Sequence, residues 1–361
     1  GDFYGTPVYS GFTSYLDGLV AAGTVNEWLP MPYDWRFSPE KILSDGIETT
    51  SGNVDMILAV EELAERSKSG KITIIAHSMG GLMGKALIKA LEEKGEAHLI
   101  DSFVMVGSPQ LGTPQGVASL LHGDDEAILG GVVVDAVDVR AIGQNMRSAY
   151  NLLPSPRYFE EVTDPVVTFD ETASFTQSWR NQWGTSTDTY ADLNQFLVNQ
   201  GQLRTDPAPD ELLLPEVLQS NILDEAVSFH DTFDTYTIPN AIHVVQVAGW
   251  GIQTLKGIKY LNEHGQQDYE PVFTREGDKT VVYPSAISSF ADETYFFNLA
   301  DYNESLNEEA SHKDLLSIDP VQSFITSVVQ NQNIAPGAYF SSIKPVIEEA
   351  EDQLLVSTHS P

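Results

Sequence analysis

The stretch "IIAHSMGGLMGKAL" (residues 74–87) decides how this chain is read. An apolar, β-branched run stops at a corner of small residues and restarts as a helix, with Ser78 at the corner. A strand-to-helix turn of this kind holds a serine in a strained backbone conformation and needs small neighbours two residues to either side. Here those neighbours are Ala76 and Gly80, with Ala76 standing where the usual pattern has glycine. The hydroxyl then sits at a helix N-terminus, where the dipole favours developing negative charge, and the Met79 N–H becomes one oxyanion donor. A phosphate-loop reading of "GGLMGK" fails, because the spacing is one residue short and Ala86 replaces the required hydroxyl residue. His77 reads as a packing and hydrogen-bonding residue rather than as the base.

Outward from the corner, the pattern is that of alternating strands and helices. Residues 11–23 predict a short helix. Residues 49–70 place Met56, Ile57, Val60 and Leu63 at helical spacing, with Ser51 as the cap. "KITIIAH" is a strand, "MGGLMGKALIKALEEKG" a helix ending at Gly95, and "LIDSFVMVGSP" a second buried strand. This order predicts an α/β fold with a mostly parallel central sheet flanked by helices. Residues 115–240 are polar and irregular, with aromatics at helical spacing, and read as an inserted helical cap. "AIHVVQVAGWG" (241–251) returns to strand, "KTVVYPSA" (279–286) looks like another strand end, and "DPVQSFITSVVQNQ" (319–332) is a closing helix. The expected division is a first core part over 1–114, the cap over 115–240, a second core part over 241–345, and a tail or linker over 346–361.

Composition limits the partners. The chain has 52 acidic against 19 basic residues and a formal net charge of −33, so nucleic acid and anionic membrane surfaces are poor partners. With no cysteine, disulfides and thiol catalysis are excluded. No apolar run is long enough to span a membrane. Acidity spread along the chain suggests an extracellular or secreted bacterial setting.

A serine held this way needs a base, and the base an orienting carboxylate, in the chain order Ser, acid, His. "REGDKTVVYPSA" offers Asp278 and "EEASHKDLLS" offers His312, 34 residues later. His264 is the nearest rival base but precedes Asp278. Asp301 and Asp314 compete for the acid, and Asp314 is too close to His312 to act from a separate loop. His98, His122, His230, His243 and His359 sit in weaker contexts.

Seven segments in one order carry a resemblance: "PYDWR" (32–36), "AHSMGG" (76–81), "GSPQLGTP" (107–114), "NMRSAYNLLPS" (145–155), "GWGIQT" (249–254), "GDKTVVYPSA" (277–286) and "SHKDLL" (311–316). Together they resemble the lecithin:cholesterol acyltransferase family of α/β-hydrolases, in its bacterial lipase- or esterase-like members. The resemblance implies a carboxylic-ester lipid hydrolase or acyltransferase without metal or other cofactor. It implies Ser78 as nucleophile, Asp278 as acid and His312 as base. Lys279 replaces a family glycine beside the acid, and Asp34 and Arg36 of "PYDWR" are expected to be structural. Family members supply a second oxyanion donor after an apolar strand that is not found before Gly11, so that donor is expected upstream of Gly1, in a longer and multidomain polypeptide.

Trp179, Trp183, Phe196, Phe229 and Phe233 of the cap, with Phe175 and Tyr190, are expected to line or cover an acyl pocket. The alternative is that they form the cap's own core. Neutral glycerides, zwitterionic lipids and small soluble esters suit the charge better than anionic phospholipid. Acyl transfer or phospholipase activity, amide hydrolysis, and an inactive module of a larger secreted protein are the alternatives to ester hydrolysis.

Overall fold

The structure is a computed structural model that describes residues 8–49, 52–124, 135–264, 266–287, 290–332 and 337–346. Ten strands are described: β1 (Ile47–Thr49), β2 (Gly52–Val54), β3 (Ile72–His77), β4 (Ile100–Val106), β5 (Val167–Phe169), β6 (His243–Trp250), β7 (Thr254–Glu263), β8 (Gln266–Thr274), β9 (Glu293–Asn298) and β10 (Phe340–Ser341). Five form one sheet in the order β10-β9-β6-β4-β3. The pairs β3/β4, β4/β6 and β6/β9 are parallel, and β10 joins β9 antiparallel at the edge.

Alternate residues of β4 and β6 pack on opposite faces, which divides the core in two. Val104, Val106, Val245 and Val247 meet Val321, Phe324 and Ile325 of the helix Asp319–Val329, with Phe12 of the helix Ser10–Ala21 beside them. Phe103, Met105 and Val244 meet Met83, Leu87 and Leu91 of the helix Gly80–Lys94, with Met56 and Val60 of the helix Met56–Arg66 behind. Both faces being covered, β4 is a nearly continuous apolar run. Gly95 ends the Gly80–Lys94 helix in the left-handed conformation, as its sequence predicts.

Several expectations need correction. The helix after β2 begins at Met56, and its cap is Asp55, whose carboxylate accepts the Ile57 and Leu58 N–H groups. The proposed cap Ser51 lies outside the described residues. "KTVVYPSA" is not a strand end. Pro284 sits in the first turn of a short helix, Tyr283–Ala286, and the valines before it turn inward to the core. The interval 115–240 is largely helical but also contributes β5, which pairs with β7 in a separate sheet ordered β5-β7-β8. The β7/β8 hairpin that builds this sheet was not predicted. Of residues 346–361, only Val346 is described. Among the described residues, no helix is long and apolar enough to cross a membrane.

The second sheet packs on a cluster of aromatic side chains, and His122 is embedded at its margin with 1% exposure. Its Nδ1–H donates to the Leu212 carbonyl (2.7 Å), and its Nε2 accepts the Tyr260 hydroxyl (2.8 Å). Burial lowers its pKa from the usual 6.5 to about 3, against the pull of the Leu212 carbonyl. The unfolded chain therefore binds a proton below 6.5 that the folded chain refuses until about 3. Stability is fully present above 6.5 and falls with pH in that window, by up to about 1.4 kcal/mol per unit for one such group. Urea unfolding at pH 7, 6 and 5 is expected to show a shallower pH slope for His122→Phe than for the unsubstituted chain. Parallel slopes would mean that His122 titrates normally in the fold.

Candidate active site

Ser78 follows directly on β3, and its backbone has φ +54°, a left-handed conformation that costs a non-glycine residue of order 1 kcal/mol or more. The corner is pinned on both sides. The Ser78 N–H donates to the Val106 carbonyl at the end of β4 (3.1 Å), and the Ser78 carbonyl accepts the Gly81 N–H (2.9 Å). Met79 opens the helix Gly80–Lys94, so its N–H belongs to the first turn, where N–H groups lack intrahelical acceptors.

The closest packing at the corner falls one residue beyond Gly80. A methyl group at Gly80 would lie 3.7 Å from the Ala76 Cβ, an ordinary contact. At Gly81 it would fall 2.3 Å from the Ser108 Oγ. The residue that must be glycine for the helix to dock on the β4 turn is therefore Gly81.

Asp278 reaches this corner by an indirect route. The β7/β8 hairpin carries the chain away from the end of β6, and the return is fixed by a bridge between Ile252 and Asp278. Its side chain lies over Gly249 of β6, where an added Cβ would be 2.4 Å from the Asp278 Cβ. The carboxylate is 1% exposed, and each oxygen has a fixed task. Oδ1 accepts the N–H groups of Thr280 (3.1 Å) and Val281 (2.8 Å), and Oδ2 faces His312 Nδ1 at 2.8 Å.

His312 begins a 3₁₀ turn, His312–Ser317, whose capping box joins Ser311 and Asp314. Asp314 thus caps the turn, and Asp301 is exposed on the helix Leu299–Leu306. The His312 backbone N–H donates to the Asp278 carbonyl (2.8 Å), so this residue is latched to Asp278 through both backbone and ring. The ring is held by Asp278 at Nδ1, and its Nε2 lies 2.9 Å from Ser78 Oγ. With Nδ1–H donated to the carboxylate, Nε2 is the acceptor for the serine proton. Gly107, at φ +59°, clears the space: a Cβ there would meet Asp278 Oδ2 and His312 Nδ1, both at 3.1 Å.

His77 supports the arrangement from the side. Its Nε2–H donates to the His312 carbonyl (2.9 Å), and its Nδ1 accepts the Tyr9 hydroxyl (3.0 Å). Burial, reinforced by His312, lowers its pKa to about 3 and keeps it neutral, which suits an imidazole that donates on one side and accepts on the other. The rival His264 is at the tip of the β7/β8 hairpin with its side chain 92% exposed. His98, His230 and His243 are engaged with the Gly95 carbonyl, Asp234 and Glu293, while His359 lies outside the described residues.

The aromatic residues expected around an acyl pocket are buried in two apolar clusters. Trp179, Trp183 and Phe196 are buried against Phe169 and Tyr260 in one cluster. Phe229 and Phe233 pack on Leu82 and Ala86 of the helix Gly80–Lys94, with Met79 at the margin. Asp34 accepts from Arg36 through both carboxylate oxygens, and this local clamp holds the Asp34 pKa below the usual carboxylate range.

A half-buried serine hydroxyl, an imidazole and a buried carboxylate in hydrogen-bond sequence are the geometry of nucleophilic acyl chemistry. A profile of the lecithin:cholesterol acyltransferase family matches residues 5–290. The chain belongs to that family. It is 27% identical over 168 residues to lecithin-cholesterol acyltransferase-like 1 of Arabidopsis thaliana, covering 43% of this chain and 37% of that protein. It is 25% identical over 148 residues to lysosomal phospholipase A and acyltransferase of Rattus norvegicus, covering 40% and 32%. The matches thus span about a third of these relatives' length. Among solved structures, the crystal structure of the Tle4-Tli4 complex is similar in fold, with a TM-score of 0.50 and 14% identity, over 82% of this chain and 66% of that one.

Proposed function

We propose that the chain is a serine carboxylic-ester hydrolase of the α/β-hydrolase fold, acting on lipid or other acyl esters through Ser78, His312 and Asp278. The observation that carries this is the hydrogen-bonded sequence Ser78 Oγ, His312 Nε2, His312 Nδ1, Asp278 Oδ2, with Ser78 strained at a strand-to-helix corner. In the proposed reaction His312 Nε2 takes the serine proton as Oγ attacks the ester carbonyl. Asp278 holds the tautomer and stabilises the imidazolium. The Met79 N–H stabilises the oxyanion, a contribution of about 3 kcal/mol in the transition state. His312 then returns its proton to the leaving alkoxide, and water, activated by the same imidazole, releases the acid. No second oxyanion donor is assigned among the described residues.

Family membership and the relatives' names favour a lipid acyl ester as substrate, and the same names support a second reading in which an alcohol takes the acyl group from Ser78. Hydrolysis of p-nitrophenyl esters from acetyl to palmitoyl, with and without an added primary alcohol, separates the two by product. Free acid in both arms is the expected result. Ester product that grows with alcohol at the expense of acid would establish transfer, and turnover of no ester by folded protein would overturn both.

The close approach of Asp278 to β6 supplies a further test. Gly249→Ala pushes a methyl group into the Asp278 side chain and displaces its carboxylate. It is expected to lower kcat about 100-fold. Unchanged kcat in the variant would mean that the position of Asp278 does not matter to turnover.

A further inference from the structure

The segment "PYDWR" (32–36) has no part in the proposed reaction, yet its Tyr33 stands at the nucleophile corner. The ring is half-buried and packs against the apolar cluster that holds Ala76 of β3 and Met83 of the helix Gly80–Lys94. That packing carries the phenol to the start of the helix. A methyl group on Gly80, two residues beyond Ser78, would lie 4.0 Å from Tyr33 Oη and 3.7 Å from the Ala76 Cβ. The turn after Tyr33 is held by Asp34, whose Oδ1 accepts the backbone N–H (3.1 Å) and the Nε–H (2.8 Å) of Arg36.

The hydroxyl end is left open. Among the described residues Tyr33 Oη has no hydrogen-bond partner, and it is not enclosed, so an incoming molecule can reach it. The neighbouring phenol behaves differently: Tyr9 spends its O–H on His77 Nδ1 (3.0 Å). Partial burial, with Tyr9 adding to it, raises the Tyr33 pKa above the usual phenol value. Tyr33 therefore stays protonated, and a donor, at neutral and mildly alkaline pH.

The corner is served from two places. Asp278 and His312 reach Ser78 where Gly107 and Gly249 make room, at the ends of β4 and β6. Tyr33 stands instead by Ala76 and Gly80, at the helix start, where the N–H groups of Met79 and Gly80 have no acceptor among the described residues. An oxyanion accepts two or three hydrogen bonds, and a tyrosine hydroxyl is one of the side-chain donors suited to it.

We infer that the Tyr33 hydroxyl is the second donor to the oxyanion formed when Ser78 attacks the ester. The inference rests on the reading of Ser78 as nucleophile. In that step the bond from Ser78 Oγ to the ester carbon forms, the carbonyl electron pair moves onto the carbonyl oxygen, and the serine proton goes to His312 Nε2. Tyr33 keeps its proton and shares it with the new oxyanion. When the carbonyl re-forms, the leaving alkoxide takes the proton from His312, and Tyr33 is left unchanged. Tyr33 thus fills, from within the described residues, the role expected of a donor upstream of Gly1.

Tyr33→Phe removes one oxygen and keeps the ring that packs. With p-nitrophenyl butyrate, kcat is expected to fall about 100-fold while KM changes less than about threefold and the urea midpoint holds. Hexyl trifluoromethyl ketone gives a second readout, because Ser78 adds to it as a hemiketal whose oxygen carries the charge. Its inhibition constant is expected to rise about in proportion to the fall in kcat/KM. A kcat within about threefold of the unsubstituted chain would overturn the assignment. So would a rise in KM alone, which marks a contact to the ground state, or a lost kcat with unchanged inhibition by the ketone. Ser78→Ala, assayed beside it, separates the two readings. If Ser78→Ala is inactive and Tyr33→Phe is not, the Tyr33 assignment alone falls. If Ser78→Ala hydrolyses the ester, both fall.

Discussion

Ser78→Ala is expected to lower kcat for ester hydrolysis by about 10⁶-fold while leaving the fold intact. Among the described residues the hydroxyl is hydrogen-bonded to His312 Nε2, and Ser78 is only half-buried, so its removal takes away the nucleophile without opening a cavity in the core. The backbone strain at φ +54° stays in the alanine variant, because alanine has the same Cβ. Ser78→Gly provides the control. It removes the same hydroxyl and also relieves the strain, so its urea midpoint is expected to rise by a change worth up to about 1 kcal/mol while activity stays absent. An activity loss in both variants with a gain in stability only in Ser78→Gly would separate chemistry from folding. Retained hydrolysis in Ser78→Ala would remove the serine from the mechanism.

Asp278→Asn is expected to cost about 10⁴-fold in kcat with little loss of stability. The reason lies in the two different oxygens. Oδ1 accepts the N–H groups of Thr280 and Val281, so in the amide variant the carbonyl oxygen must stay there. The amide NH₂ then occupies the place of Oδ2 and points at His312 Nδ1. Facing a donor, Nδ1 becomes the acceptor, and the ring proton moves to Nε2, opposite Ser78. The imidazole is then in the tautomer that cannot accept the serine proton. Nitrogen chemical shifts of the His312 ring report the switch directly. An unchanged tautomer with reduced kcat would mean that Asp278 acts by its charge alone.

The parts of the site that were legible in the sequence are those set by local order. The apolar run, the small corner and the helix around Ser78 specify a turn without distant partners. The chain order Ser, acid, His selected Asp278 and His312 over His264, and the structure brings the selected residues within hydrogen-bond reach. The β7/β8 hairpin depends on long-range pairing and carries no comparable local mark. "KTVVYPSA" misleads because three β-branched residues in a row have the composition of a strand, while their backbone is bent to return Asp278 to the end of β6. Asp55 caps the helix at Met56 because the antiparallel pair β1/β2 extends to Val54.

Glycine roles were also hidden. The sequence marks Gly80 as a small neighbour of Ser78, whereas Gly81 and Gly249 are among the positions that leave no room for a methyl group, and Gly107 is tight. Their neighbours, Ser108, His312 and Asp278, are remote in sequence. The aromatics between Trp179 and Phe233 have the spacing of helices that bury one face, and spacing alone does not say whether that face meets substrate or protein. Lys85 was illegible for the same reason, since helical periodicity does not reveal that one cation is fully buried and donates to the Phe233 carbonyl.

The most direct measurement is labelling with a fluorophosphonate, which reacts with a serine only when a base has activated it. Intact-mass and peptide mass spectrometry are expected to show one adduct per chain, on Ser78, and no adduct in His312→Ala. Labelling at another residue, or ester hydrolysis that continues in the fully Ser78-labelled protein, would contradict the assignment of Ser78 as the nucleophile.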